Sequence, residues 1–146
     1  MLYESKVKCA RVQEQDGTVK MVTEVYMVDA YTFAEAEARI TGEIEPCCNG
    51  EFDVVALKRS NIKELCESQA DGDDKWFNCK LEMLTIDEQA GKEKKCNYNI
   101  LVQASNIEEA KRYLEKHMQG SIADWELKSI TETKILEVYI SNGSNN

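Results

Sequence analysis

Glu14-Gln15-Asp16-Gly17 stands 74 positions ahead of Glu88-Gln89-Ala90-Gly91. The same shift lays Val28-Asp29-Ala30 on Val102-Gln103-Ala104 and Glu35-Ala36 on Glu109-Ala110. Lys6 falls on Lys80 and Lys20 on Lys94, and no gap is needed from Tyr3 to Ile44. Internal repeats come first in reading a chain, because they fix how many units the fold has. Identities alone carry little weight, so the physical pattern has to repeat as well.

It repeats in two helices. Phe33, Ala36, Ile40 and Ile44 are spaced to share one helix face, and Ile107, Ala110, Leu114 and Met118 repeat that spacing. Thr32 followed by Glu35 predicts a capping box, and Asn106 followed by Glu109 a related N-cap. Pro46 stops the first helix and Gly120 the second.

It repeats in two hairpins. Asp16-Gly17, read as a two-residue turn, sets Val7 opposite Tyr26, Ser5 opposite Val28 and Tyr3 opposite Ala30. A turn at Ala90-Gly91 sets Leu81 opposite Ile100, Cys79 opposite Val102 and Met83 opposite Tyr98. Each hairpin then has one mostly apolar face. Lys6, Lys8, Lys80 and Glu82 point to the other face, which is mixed because Val25, Leu84, Ile86 and Leu101 share it.

A third strand follows each helix, Phe52–Leu57 matching Trp125–Ile130 once one residue is dropped from the loop before it. The second copy continues through the β-rich Ile135–Ile140, whereas its equivalent Asn61–Cys66 reads either as a strand or as a helical turn. The expected fold is therefore α+β: a tandem duplication of a β-β-α-β unit, with mainly antiparallel sheet and one helix per repeat, about a pseudo-twofold axis. The repeats occupy residues 1–66 and 76–140, a polar connector residues 67–75 and a disordered tail residues 141–146. Whether the repeats share one sheet is open at this point.

Composition narrows the function classes. The 146 residues are 42% hydrophobic and 31% charged, ordinary for a globular protein. No apolar run reaches the roughly 20 residues that cross a bilayer, and Met1–Lys6 lacks the basic and apolar regions of a signal peptide. A cytoplasmic protein with no membrane partner is expected. The net charge of -9 repels polyanions and suits a basic partner. The six cysteines, Cys9, Cys47, Cys48, Cys66, Cys79 and Cys96, form no C-x-x-C pair and are expected to be free thiols.

Several stretches together resemble a known family. They are Val22–Ala30 followed by Phe33–Arg39, then Trp76–Lys80, Leu101–Ser105 and Ile130–Thr133. The chain resembles the domain-of-unknown-function family 4494 from about Tyr3 to Tyr139. Members of that family look like small proteins of Bacteroides-type bacteria and of their phages and mobile elements. The resemblance implies no activity, cofactor or site residue.

Candidate chemistry is sparse. His117, the only histidine, lies near the end of the second helix, where the helix dipole favours a surface histidine. A general base needs a partner in reach, and the spacing of Glu109 and Glu115 defines none. Cys47 and Cys48 follow Pro46 and are expected to pack beneath their loop rather than to react or bind metal. Cys79 and Cys96 face other residues in the hairpin register, so they are not expected to pair. Asp71-Gly72-Asp73-Asp74 lacks the alternating ligands of a calcium loop and reads as a solvated linker. No phosphate loop, nucleophile elbow or zinc-protease motif occurs.

These readings lead to a non-enzymatic, acidic interaction protein, an accessory factor of a phage or mobile element. No cofactor, metal or catalytic residue is assigned. Its expected partner is a protein, and a homo-oligomer is compatible with the duplicated scaffold. The alternative is a nucleic-acid or nucleotide binding module that uses the cleft between the repeats and the basic hairpin of Lys92, Lys94 and Lys95, with Trp76, Phe77 and Tyr98 near in sequence. An enzyme of unrecognised type ranks third, and needs a pocket that joins His117 or Cys47 to a carboxylate.

Overall fold

A computed structural model gives the chain an α+β fold and describes residues 1–48, 50–68 and 70–140. The elements run β1 Leu2–Val12, β2 Val19–Asp29, α1 Phe33–Ile44, β3 Phe52–Arg59, β4 Ile62–Cys66, β5 Lys75–Asp87, β6 Lys92–Ala104, α2 Ile107–His117, β7 Asp124–Glu132 and β8 Ile135–Tyr139. They form two separate four-stranded sheets, in the orders β3-β1-β2-β8 and β4-β6-β5-β7. The expected tail, residues 141–146, lies outside the described residues.

Each sheet takes its fourth strand from across the sequence. Ser60 and Asn61 alone separate β3 from β4, yet β4 pairs in parallel with β6. Thr133 and Lys134 alone separate β7 from β8, yet β8 pairs in parallel with β2. The compact units are therefore Met1–Ser60 together with the strand that follows Lys134, and Asn61–Thr133. They do not coincide with the segments 1–66 and 76–140. Asn61–Cys66 is thus a strand rather than a helical turn.

The hairpin registers differ from expectation by two residues, in the same sense in both. Tyr3 pairs with Val28, Ser5 with Tyr26 and Val7 with Glu24. Phe77 pairs with Val102, Cys79 with Ile100, Leu81 with Tyr98 and Met83 with Cys96. The cause lies in the turns. The Gly17 amide donates to the Gln13 carbonyl at 2.8 Å, and Asp16 Oδ1 accepts from the Thr18 amide at 3.0 Å and its hydroxyl at 2.7 Å. A six-residue loop thus replaces the two-residue turn, with Gly17 at φ +71°. The second loop repeats the device, with Gly91 donating to the Asp87 carbonyl at 2.7 Å. A shift of two preserves strand parity, so the inward faces stay as read. The bulges also correspond, one between Lys6 and Val7 and one between Lys80 and Leu81.

A helix crosses the apolar face of each sheet. Ala36, Ile40 and Ile44 of α1 are buried, the last two against Val7, Cys9 and Tyr26. Ala110 and Leu114 of α2 pack with Phe77, Cys79, Leu81, Ile100 and Val102. Full burial of each large aliphatic side chain contributes about 1.5–3 kcal/mol. The first residue of each stripe, Phe33 and Ile107, is about half exposed, although the Phe33 ring meets Tyr3 edge-on at 4.9 Å. Both caps form as read: Thr32 Oγ1 accepts from the Glu35 amide at 3.1 Å, and Asn106 Oδ1 from the Glu109 amide at 2.9 Å. Pro46 falls in a 3-10 turn, Glu45–Cys47, that extends the first helix before the chain turns away.

The second compact unit carries one ordered connector. The sequence of Asp71–Asp74 predicts a solvated linker, but Asp73 is buried. Asp73 Oδ2 accepts from Ser68 Oγ and, at 2.9 Å, from the Tyr113 hydroxyl, which pins the connector to α2. These hydrogen bonds, with Ser68 the leading donor, hold the Asp73 carboxyl below the usual range despite its burial.

Candidate functional site at the end of the second helix

The last turn of α2 carries Lys116 and His117, two bases where the helix dipole favours positive charge. His117 Nε2 lies 3.0 Å from Glu64 Oε1. The Tyr98 hydroxyl donates to Glu64 Oε2. Three elements build this group. β4 lies beside β6 with Glu64 in register with Ile100, so its side chain stands on the same sheet face as Tyr98. That face is the one α2 crosses, and the helix ends at His117 above it.

Electrostatics fix the protonation of the carboxylate. The Tyr98 hydrogen bond is the main cause that holds the Glu64 carboxyl below its ordinary range, and His117 adds to it against the opposing effect of burial. The same bond pushes Tyr98 up to about 12. The group is only partly screened from solvent, with His117 and Glu64 side chains 30% and 40% exposed. It borders a hollow of about 350 Å³ lined by Met83, Met118, Gly120 and Ser121 in addition to the three polar residues. His117 also borders a second hollow of about 380 Å³, lined by Cys66, Ser68, Tyr113 and Lys116. Burial, then the charge of Glu64, pushes the Cys66 thiol up, so this thiol is a poor nucleophile.

The other candidates from the sequence are not gathered here. Lys92, Lys94 and Lys95 are exposed at the start of β6, beyond the loop that joins it to β5. Lys95 Nζ lies 3.8 Å from Glu82, which Lys128 also approaches. Trp76 and Phe77, 3% and 1% exposed, sit at the opposite end of the hairpin with no face open for a base to stack on. Of the three aromatics near the basic hairpin in sequence, Trp76 and Phe77 are thus closed off, while Tyr98 is half-buried and hydrogen-bonded to Glu64. Cys47 is exposed, while Cys48 packs against the core of Val7, Cys9 and Ile44, so the expectation for the pair holds for one of the two. Cys79 lies opposite Ile100 and Cys96 opposite Met83, and all six cysteines are free. Among the described residues, no group of three His, Cys, Asp or Glu side chains is placed to hold a metal ion, and no helix is long and apolar enough to cross a membrane.

Sequence reading missed a second polar group, in the first compact unit. Glu24 faces Val7 on the helix side of the sheet. Arg11 clamps it, with Nη2 at 2.7 Å from Oε1 and Nε at 3.3 Å from Oε2. The Tyr26 hydroxyl and Cys9 Sγ donate to Oε1 at 2.9 and 3.2 Å. Burial opposes the charge on Glu24, but Arg11, Cys9 and Tyr26 together hold its carboxyl low. Burial and the bond to Glu24 push the Cys9 thiol up to about 12. A glutamate among the inward positions Val22, Tyr26 and Val28 was the available signal. With every partner satisfied internally, this group is a structural brace.

A family model described as a domain of unknown function (DUF4494) matches residues 1–141. Among curated proteins, none matches the chain.

Proposed function

From the premise that the chain belongs to the domain-of-unknown-function family 4494, we propose that it is a non-enzymatic, acidic binding protein whose partner-facing site is the end of α2. One observation carries this reading: His117 is held by Glu64, and Glu64 by Tyr98, beside an open hollow. The group offers fixed polarity for recognition. Two observations support binding over nucleophilic catalysis: burial pushes the Cys66 thiol up, and no thiol or hydroxyl nucleophile is held against His117 among the described hydrogen bonds.

The reading includes the scaffold's origin as a tandem duplication of a β-β-α-β unit. The corresponding hairpin registers, bulges and parallel fourth strands support it. It also includes a reducing, cytoplasmic setting, which six free thiols support. The test is a turnover screen of the purified full chain against esters, phosphoesters and peptides. A silent screen with a stoichiometric protein bound to the full chain fits the proposal. Turnover that is abolished by His117→Ala would overturn it.

A further inference from the structure

We propose that the hollow bounded by Glu64, Tyr98, Met83 and Met118 seats an arginine side chain from a partner protein; this names the partner chemistry of the binding reading above and rests on it. The seat needs a persistent negative charge, and Glu64 supplies it, with a side chain 40% exposed. A carboxylate has about four acceptor positions. Tyr98 and His117 take one on each oxygen, which leaves one on each for a forked donor.

Beside His117, no stronger base is set against the seat among the described residues. Among the described residues, no lysine or arginine pairs with Glu64, whereas Glu24 holds Arg11 and Glu82 holds Lys128. The walls suit the rest of an arginine. Met83 and Met118 are adaptable thioethers beside the Tyr98 ring, a surface on which an aliphatic stem packs and a guanidinium stacks. The net charge of -9 draws a basic segment toward the protein and repels an acidic one.

The net charge also attracts any cation without specificity, so the experiment has to separate the two effects. The probe is an acetylated tri-arginine peptide, titrated into the ¹⁵N-labelled full chain and followed by amide shifts. Glu64→Gln and Glu37→Gln remove the same charge, the first at the seat and the second on the exposed face of α1. The expected result is shifts centred on Glu64, Tyr98 and Met118–Ser121, with affinity falling about ten-fold or more in Glu64→Gln, and little change in Glu37→Gln. Equal weakening by both substitutions, or shifts spread across both compact units, overturns the seat. So does spermidine binding as tightly as the peptide, which would make the site one for free amines. Loss of the seat leaves the binding reading in place if a protein still co-purifies in stoichiometric amount, whereas His117-dependent turnover removes both.

Discussion

Glu64 and His117 lie 53 residues apart in the chain and 3.0 Å apart in space, and the crossing of β4 into the second sheet brings them together. Were β4 to stay beside β3, its neighbour in sequence, Glu64 would not stand next to β6, and His117 would end α2 with no carboxylate against it. The candidate site is therefore a product of topology, and the topology can be tested directly. Removal of residues 135–140 deletes β8, which pairs with β2 and stacks Tyr139 on Tyr26. Hydrogen exchange of the truncated chain should speed up at Val25–Val28. Amides of β7, the sequence neighbour of β8, should keep their protection. Faster exchange confined to β7 would contradict the strand order.

The paired positions of the two hairpins predict a stabilising change. Tyr3 and Ser5 are fully buried, and among the described residues neither hydroxyl has a hydrogen-bond partner. The corresponding positions of the second hairpin hold Phe77 and Cys79. Removing a buried hydroxyl that makes no bond relieves a desolvation cost of about 1–3 kcal/mol. Tyr3→Phe and Ser5→Ala should each raise stability, by about 1 kcal/mol, in urea unfolding. A loss of stability on Tyr3→Phe would mean that its hydroxyl is bonded.

The core of the second unit gives the opposite sign. Leu114 is fully buried under α2, so Leu114→Ala should cost about 2–5 kcal/mol. Ile107, on the same stripe but about half exposed, should cost under about 1 kcal/mol on the same substitution. Circular dichroism through a urea titration compares the two.

Acid should weaken the fold through carboxylates that hydrogen bonds hold low, chiefly those with a partly buried side chain. Glu24, Glu64 and Asp73 all have folded pKa values below their ordinary ones of 4.5 and 3.8. A depressed pKa adds stability above the unfolded value, and that stability is lost as pH falls through the folded value. Stability should thus hold from neutral pH to about 4.5 and fall below it. Glu24→Gln should flatten the fall and lower stability at pH 7, because Arg11 loses its charged partner. Thermal melts of both chains between pH 3 and 7 supply the comparison.

Much of the fold was legible because its signals are local. Thr32 with Glu35 and Asn106 with Glu109 announced the helix starts, and alternation along Tyr3–Cys9 and Phe77–Met83 gave the inward faces. The register was not legible. It depends on whether Asp16 caps Thr18 in a longer loop, which Asp-Gly alone does not specify. The exchange of β4 and β8 was hidden too, since a parallel edge strand carries no local mark of which sheet it joins. His117 stands out as the only histidine, but the glutamates near it in sequence, Glu109 and Glu115, are not its partner. The true partner sits on the strand whose assignment was open.

The central claim is that the end of α2 is where this protein meets a partner. The direct measurement is capture by the tagged full chain at low salt, quantified side by side for the wild type, Glu64→Gln and Glu37→Gln. The account predicts one protein retained in stoichiometric amount by the wild type and by Glu37→Gln, and largely lost from Glu64→Gln. Equal retention by all three would place the partner elsewhere on the molecule and contradict the claim.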